Sequence, residues 1–85
     1  MSNESQIIPE NPRTMVFQVL ESNKTLFLSV REIVTELFNE YNYHITVDTV
    51  YDTIKQLQAI NQNIISRIER RGEKRQPVYV YSLIN

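Results

Sequence analysis

The chain contains one glycine among its 85 residues, and this glycine constrains the fold more than any other residue. Gly72 separates two runs of strand-forming residues, residues 64–65 before it and residues 78–81 after it. A glycine between two such runs indicates a tight turn, because glycine adopts the positive φ angles that hairpin turns require. The sequence therefore predicts a two-stranded β-hairpin near its carboxyl end.

The predicted hairpin also concentrates positive charge. Residues 66–76 contain five basic and two acidic side chains, a net charge of +3, which leaves −4 for the rest of the chain. Cations crowded onto a turn are costly to bury, so we expect them to stay solvated and to suit a polyanion. The basic residues are Arg67, Arg70, Arg71, Lys74 and Arg75. The overall pI of about 5.8 counts against nucleic-acid binding.

The length of the chain allows one small domain with a modest core. There is no cysteine, which excludes disulfides and thiolate metal sites. The first residues are polar and contain no apolar run as long as a signal peptide or a membrane span. We therefore predict a cytoplasmic protein without membrane contact, with residues 1–10 as a flexible amino-terminal tail and residues 11–85 as the folded domain.

Three start signals predict three helices before the hairpin. Asn11 followed by Pro12 is a cap with proline at the first helical position. Ser29 and Glu32 have the spacing of a capping box. Thr46 is a cap residue for a third helix over residues 46–60, in which buried aliphatic residues are expected at spacings of four and three.

The connections between the helices are predicted from single residues. Asn42 is expected to end the second helix, because asparagine tolerates the left-handed conformation of a helix end. Residues 25–28 are expected to be extended, with Leu26 and Leu28 held against the core.

This series of elements resembles a winged helix-turn-helix DNA-binding domain. The capping-box segment 29–33 is similar to the second helix of that family. Residues 46–57, with their Thr-Val-Tyr step, are similar to its recognition helix, and residues 77–83 to its closing strand. The resemblance covers about residues 12–83 and implies an α+β fold of three helices followed by a two-stranded wing.

The resemblance also implies how the chain would bind DNA. The third helix enters the major groove, and the wing, residues 67–77, lies on the backbone or in the minor groove. The start of the second helix meets phosphate. The implied nucleic-acid-binding residues are Ser29, Arg31, Thr46, Asp48, Thr49, Tyr51, Asp52, Lys55, Arg67, Arg70, Arg71, Lys74 and Arg75.

We predict sequence-specific binding of double-stranded DNA by a small transcriptional regulator, expected to act as a homodimer. In a prokaryotic or viral source it would be associated with the nucleoid. The alternative is a winged helix that binds a protein partner through its acidic third helix, because Asp48 and Asp52 would face phosphate repulsion in a groove. RNA or single-stranded DNA is a further alternative.

Catalysis and cofactor binding are not expected. His44 is the only histidine, and no metal-ligand set, nucleophile triad or glycine-rich phosphate loop is present in the sequence. The prediction is a protein that is not an enzyme and that needs no metal and no cofactor.

Overall fold

A computed structural model describes residues 11–84 and confirms the predicted α+β winged helix-turn-helix fold. The helices are α1 (Pro12–Ser22), α2 (Val30–Tyr41) and α3 (Val47–Ile60). The strands are β1 (Leu28–Ser29), β2 (Ile64–Arg71) and β3 (Gln76–Leu83). The tail predicted for residues 1–10 lies outside the described residues, as does Asn85.

Each helix begins at the cap that the sequence predicts. Asn11 caps α1 and Pro12 occupies its first turn. In the capping box of α2, Ser29 Oγ accepts the backbone N–H of Glu32 at 3.1 Å, and the Glu32 carboxylate accepts the backbone N–H of Ser29 at 2.8 Å. Thr46 caps α3. These side chains satisfy amide groups that a helix start leaves without partners.

The turn between α2 and α3 has asparagine where glycine is usual. Asn42 adopts φ 51° and ψ 38°, in the left-handed region. Its backbone N–H donates to the carbonyl oxygen of Phe38 at 3.1 Å, which closes the last turn of the helix. The prediction that Asn42 ends α2 is confirmed, and the tight connection joins the end of α2 directly to the start of α3.

The hairpin belongs to a three-stranded antiparallel sheet in the order β1-β3-β2. The sequence predicts only the two hairpin strands, because β1 is too short to show an alternating pattern. Leu28 pairs with Tyr81 and Ser29 pairs with Val80. Strand β3 is therefore central, and β2 is the edge strand on the far side from β1.

Most of the wing is paired strand. The two hairpin strands pair along their whole length, up to Arg71 opposite Gln76. The predicted wing, residues 67–77, is thus turn only at residues 72–75. Gly72 has a φ of 83°, which confirms why the sequence places its one glycine here.

The core lies between the three helices and one face of the sheet. Its fully buried side chains come from all three helices and from β2 and β3. They are Met15, Val16, Val19, Leu20, Ile33, Leu37, Val50, Ile54, Leu57, Ile64, Tyr81 and Leu83. Each helix presents one apolar stripe to this core, as the spacing of its residues predicts.

The segment before β1 differs from the prediction. Leu26 is 55% exposed, so the expectation that it packs on the core is wrong. Thr25 has a φ of 71°, which breaks the extended chain and turns the next side chain outward. Leu28 does pack against the core, as predicted.

Candidate nucleic-acid interface

The outward face of α3 carries acidic, basic and aromatic groups. Asp48, Tyr51, Asp52 and Lys55 are all exposed. The ammonium group of Lys55 lies 5.2 Å from the centre of the Tyr51 ring, a cation–π contact that holds the two side chains together. Among residues 11–84, neither aspartate forms a salt bridge. Four of the residues predicted to contact DNA therefore share one accessible face.

A concave surface of about 300 Å³ separates α3 from the wing. Ser29 and Arg31 line it from the start of α2, Tyr51 from α3, and Tyr79 and Tyr81 from β3. Residues from three elements that are separate in the sequence thus meet at one surface. A concavity between helix and wing can accept the convex edge of a duplex backbone.

The tyrosines of β3 have different environments although they share one face of the strand. Tyr81 is buried in the core, and this burial, together with the neighbouring phenols of Tyr51 and Tyr79, raises the pKa of Tyr81. Tyr79 is 57% exposed and lines the open concavity beside Tyr51. The sheet thus passes from core to open wing between these two residues.

The hydroxyl groups at the helix starts are already hydrogen-bonded. Thr46 Oγ1 accepts the backbone N–H of Thr49 at 3.2 Å and donates to Thr49 Oγ1 at 2.9 Å. Ser29 Oγ is held in the capping box. These residues primarily fix the starts of α2 and α3, and their contact with DNA stays a prediction. Arg31 is exposed beside them.

A second depression, of about 440 Å³, lies on the other side of α3, against the start of α1. Arg13 Nε donates to Gln56 Oε1 at 3.0 Å, and Thr49 and Asp52 line the same depression. Arg13 thereby adds a cation beside the acidic residue of α3. Sequence reasoning missed Arg13, because only the packing of α1 on α3 brings these distant residues together.

The two faces of the wing are chemically different because alternate residues of a strand point to opposite sides. Ile64 and Tyr81 mark the side of the sheet that faces the core. Arg67, Glu69 and Arg71 occupy the alternate positions of β2 and lie on the other side of the sheet. The wing therefore has an ionic outer face that the count of basic residues does not reveal.

Arg71 is fully engaged within the protein. Its Nη1 donates to both carboxylate oxygens of Glu32, each at 2.7 Å. Its Nε and Nη2 donate to Glu69 Oε1 at 3.0 and 2.7 Å, and Nη2 also donates to the carbonyl oxygen of Phe27 at 2.8 Å. All three nitrogens of the guanidinium therefore donate to oxygens of the same chain. The expectation that every cation of the hairpin stays solvated is wrong for Arg71.

Arg67 joins the same network. Its Nε donates to Glu69 Oε2 at 2.7 Å, its Nη2 forms a salt bridge with that oxygen, and its guanidinium lies 3.7 Å from the centre of the Phe27 ring. Hydrogen bonds from Arg71 and then Arg67 hold the pKa of the Glu69 carboxyl below its ordinary value. The hydrogen bonds that Arg71 donates to Glu69 and Glu32 raise the pKa of Arg71.

The remaining cations lie at the wing tip. Arg70 points to the opposite side of β2 from Arg71, and its Nη1 donates to the carbonyl oxygen of Arg75 at 3.0 Å. The side chains of Lys74 and Arg75 are exposed, and within the described part of the chain they meet no carboxylate. We call Arg70, Lys74 and Arg75 the tip cations. They have N–H groups available for phosphate oxygens.

The sequence profile of the Ferric uptake regulator family matches residues 8–81 of this chain. Comparisons with curated proteins and with solved structures gave no match. The helices within residues 11–84 are too short or too polar to cross a membrane.

Proposed function

Because the chain belongs to the Ferric uptake regulator family, we propose that it binds a specific sequence of double-stranded DNA. Proteins of this family are DNA-binding transcription regulators and not enzymes, and they are typically dimeric. The observation that supports the proposal is the common surface formed by α3, the start of α2 and the wing. Each of these elements carries residues that the sequence predicts as DNA contacts.

In the proposed complex, α3 lies in the major groove, which is wide enough to admit a helix. Thr49, Tyr51 and Lys55 face the base edges. Lysine donates to guanine, and the threonine methyl contacts the thymine methyl. Asp48 and Asp52 accept from cytosine amino groups, the base-edge role open to a carboxylate.

The tip cations contact phosphate or the minor groove in this proposal. Each phosphate that they neutralise releases condensed counterions, so affinity falls as salt rises. Arg31, at the start of α2, and Arg13, at the start of α1, add phosphate contacts on either side of α3. Dimerisation doubles this basic surface, which answers the objection raised by the low pI of one chain.

Selection from a pool of random duplexes with the purified protein tests the proposal. We expect enrichment of an inverted repeat whose half-sites lie about one helical turn apart, as expected for a symmetric pair. Enrichment of a single unrepeated site would support sequence reading without the dimer. Recovery of unselected sequences would contradict specific binding.

A charge reversal separates DNA binding from the alternative function. Replacing Asp48 and Asp52 with lysine removes two negative charges from the exposed face of α3 and adds two positive ones, a change of +4 in net charge. If α3 enters the groove, non-specific DNA binding becomes tighter and more dependent on salt. If α3 instead docks on a basic protein partner, the same change abolishes that interaction. Unchanged DNA affinity would place α3 away from the duplex.

The family's name refers to iron, and the described residues do not fit an iron site. The chain has no cysteine, and its one histidine, His44, packs edge-on against Phe38 with ring centres 4.9 Å apart. Across residues 11–84, no three side chains of His, Cys, Asp or Glu converge closely enough to hold a metal ion.

A further inference from the structure

We propose that Arg71 is a positioning residue, which locks the wing onto the start of α2 and supports DNA binding without touching DNA. This inference rests on the proposed function and assigns a different role to one of its cations. The lock consists of Arg71, the carboxylates of Glu32 and Glu69, and the carbonyl oxygen of Phe27.

The first observation is the path of the Arg71 side chain. Arg71 lies on the edge strand β2, whereas Phe27 directly precedes β1 at the other edge of the sheet. Its guanidinium donates to the carbonyl oxygen of Phe27 at 2.8 Å and to the carboxylate of Glu32, in the first turn of α2, at 2.7 Å. Arg71 therefore ties β2 to the segment before β1 and to the start of α2.

The second observation is that Arg71 is already engaged within the protein. Each of its three guanidinium nitrogens donates to an oxygen of the same chain. A phosphate could bind this guanidinium only if some of these contacts opened. Opening would leave the carboxylate of Glu32 without its cation and that of Glu69 with Arg67 alone, both facing the phosphate, which is repulsive. Direct phosphate contact is thus the less favourable role.

The third observation is the double role of Glu32. One oxygen, Oε1, accepts both the backbone N–H of Ser29 and the Nη1 of Arg71. The same carboxylate thereby caps α2 and holds the wing. The start of α2 also lines the concavity beside Tyr51 of α3. Through this carboxylate, the orientation of the wing is fixed relative to the helix proposed to read the bases.

The wing needs such support because apolar side chains in its paired strands are largely exposed. Ile68 and Tyr79, paired across the hairpin, are each 57% exposed. A two-stranded ribbon without packing on either face is marginally stable in water. Without the lock, the tip cations would have to be ordered on binding, and that ordering lowers affinity.

A lock and a simple effect of net charge predict opposite changes in DNA affinity for Glu32→Gln. Glutamine can keep the capping box, since its side chain reaches back to the same backbone N–H. Removing a negative charge near DNA should tighten binding if only net charge matters. The lock predicts weaker binding to a random-sequence duplex, by roughly three- to tenfold. Glu36→Gln, one turn along α2, makes the same charge change outside the lock and should not weaken binding.

Salt dependence then distinguishes positioning from phosphate contact. Lys74→Met should reduce the slope of log affinity against log salt by about 0.9, the value for one lost phosphate contact. Arg71→Met should weaken binding with the slope unchanged. Amide exchange in the free protein supplies a readout without DNA, in which Arg71→Met speeds exchange in the wing and Lys74→Met does not.

The outcomes separate the two proposals. Failure of the wild type to bind duplex DNA would overturn the proposed function, and with it the part that the lock plays in binding. If the wild type binds, tighter binding by Glu32→Gln, or a reduced salt slope in Arg71→Met, would overturn the lock alone. Unchanged amide exchange in Arg71→Met would also overturn it, because the wing would then be ordered without Arg71.

Discussion

The outer face of the wing and its tip both carry basic side chains, but the two groups of side chains have different partners. On the outer face, Arg71 and Arg67 are bonded to carboxylates of the same chain. At the tip, Lys74 and Arg75 are exposed and, in the part of the chain that the structure describes, meet no carboxylate. Two positively charged regions only a few residues apart are therefore suited to different tasks, since one holds the wing in place and the other can bind anions.

The difference arises from strand alternation. Glu69 lies two residues from both Arg67 and Arg71, so all three share one face of β2. Arg70 lies between them in sequence but points to the other side. When acidic residues lie on the same strand face as basic ones, the number of basic residues in the sequence therefore overstates the positively charged surface. The effective positive surface of the wing is that of the tip cations.

The largest effect expected from this comparison is on DNA affinity. Replacing all three tip cations, Arg70, Lys74 and Arg75, with glutamine should lower duplex affinity at low salt by on the order of a hundredfold and reduce the salt slope by about 2.7. Stability should change by less than about 0.5 kcal/mol, because these side chains are at the surface. A titration over a salt series, with chemical denaturation of each protein, measures both. Unchanged affinity would show that the tip does not meet the phosphates.

The second prediction concerns stability. Arg71→Met should lower the midpoint of thermal unfolding by a few degrees, since it leaves the carboxylates of Glu32 and Glu69 close together without their shared cation. Lys74→Met, at the exposed tip, is the matched control and should leave the midpoint unchanged. Circular dichroism during heating measures the difference. Equal midpoints for the two variants would contradict the division between the two regions.

The third prediction concerns pH. The lowered pKa of Glu69 means that its ionised form is favoured in the folded wing. This stabilisation is complete above the ordinary glutamate pKa of about 4.3 and is lost as the pH falls through the lowered pKa. Amide protection in β2 should therefore be steady from neutral pH to about pH 5 and decline in stronger acid. Glu69→Gln should remove this acid-dependent step, and its persistence in that variant would assign the step to another group.

The smallest effect is expected at the turn. Arg75 has a φ of 54°, a left-handed conformation that is unfavourable for a residue with a Cβ atom. Arg75→Gly should change stability by at most about 1 kcal/mol, in the stabilising direction, while it weakens DNA binding through loss of a cation. Arg75→Asn tolerates the same backbone and separates the two effects. A clear loss of stability in Arg75→Gly would mean that the arginine side chain supports the turn.

The fold follows largely from local signals in the sequence. Caps at Asn11, Ser29 and Thr46 predict the starts of the helices, and Gly72 predicts the hairpin turn. Each of these signals acts within four residues, so its physical effect can be read without tertiary structure. Strand β1 has no such signal, since two residues show no periodicity.

The candidate interface was less predictable because its chemistry depends on long-range contacts. The contact of Arg71 with Glu32 spans 39 positions, and that of Arg13 with Gln56 spans 43. Residue type predicts that Arg71 is a cation, but only the folded sheet brings it to an acidic partner. Arg13 is the reverse case. Its position in the sequence does not mark it as a DNA contact, but the packing of α1 on α3 brings it to the proposed DNA-binding face.

The most direct test of the two-region account is to observe the arginine side chains themselves. The Nε–H signals of the arginines can be followed by NMR while a duplex is added to the wild-type protein. We predict that the signals of Arg70 and Arg75 shift, whereas those of Arg67 and Arg71 stay in place and exchange slowly with water. A large shift of the Arg71 signal with unaffected tip signals would contradict the account.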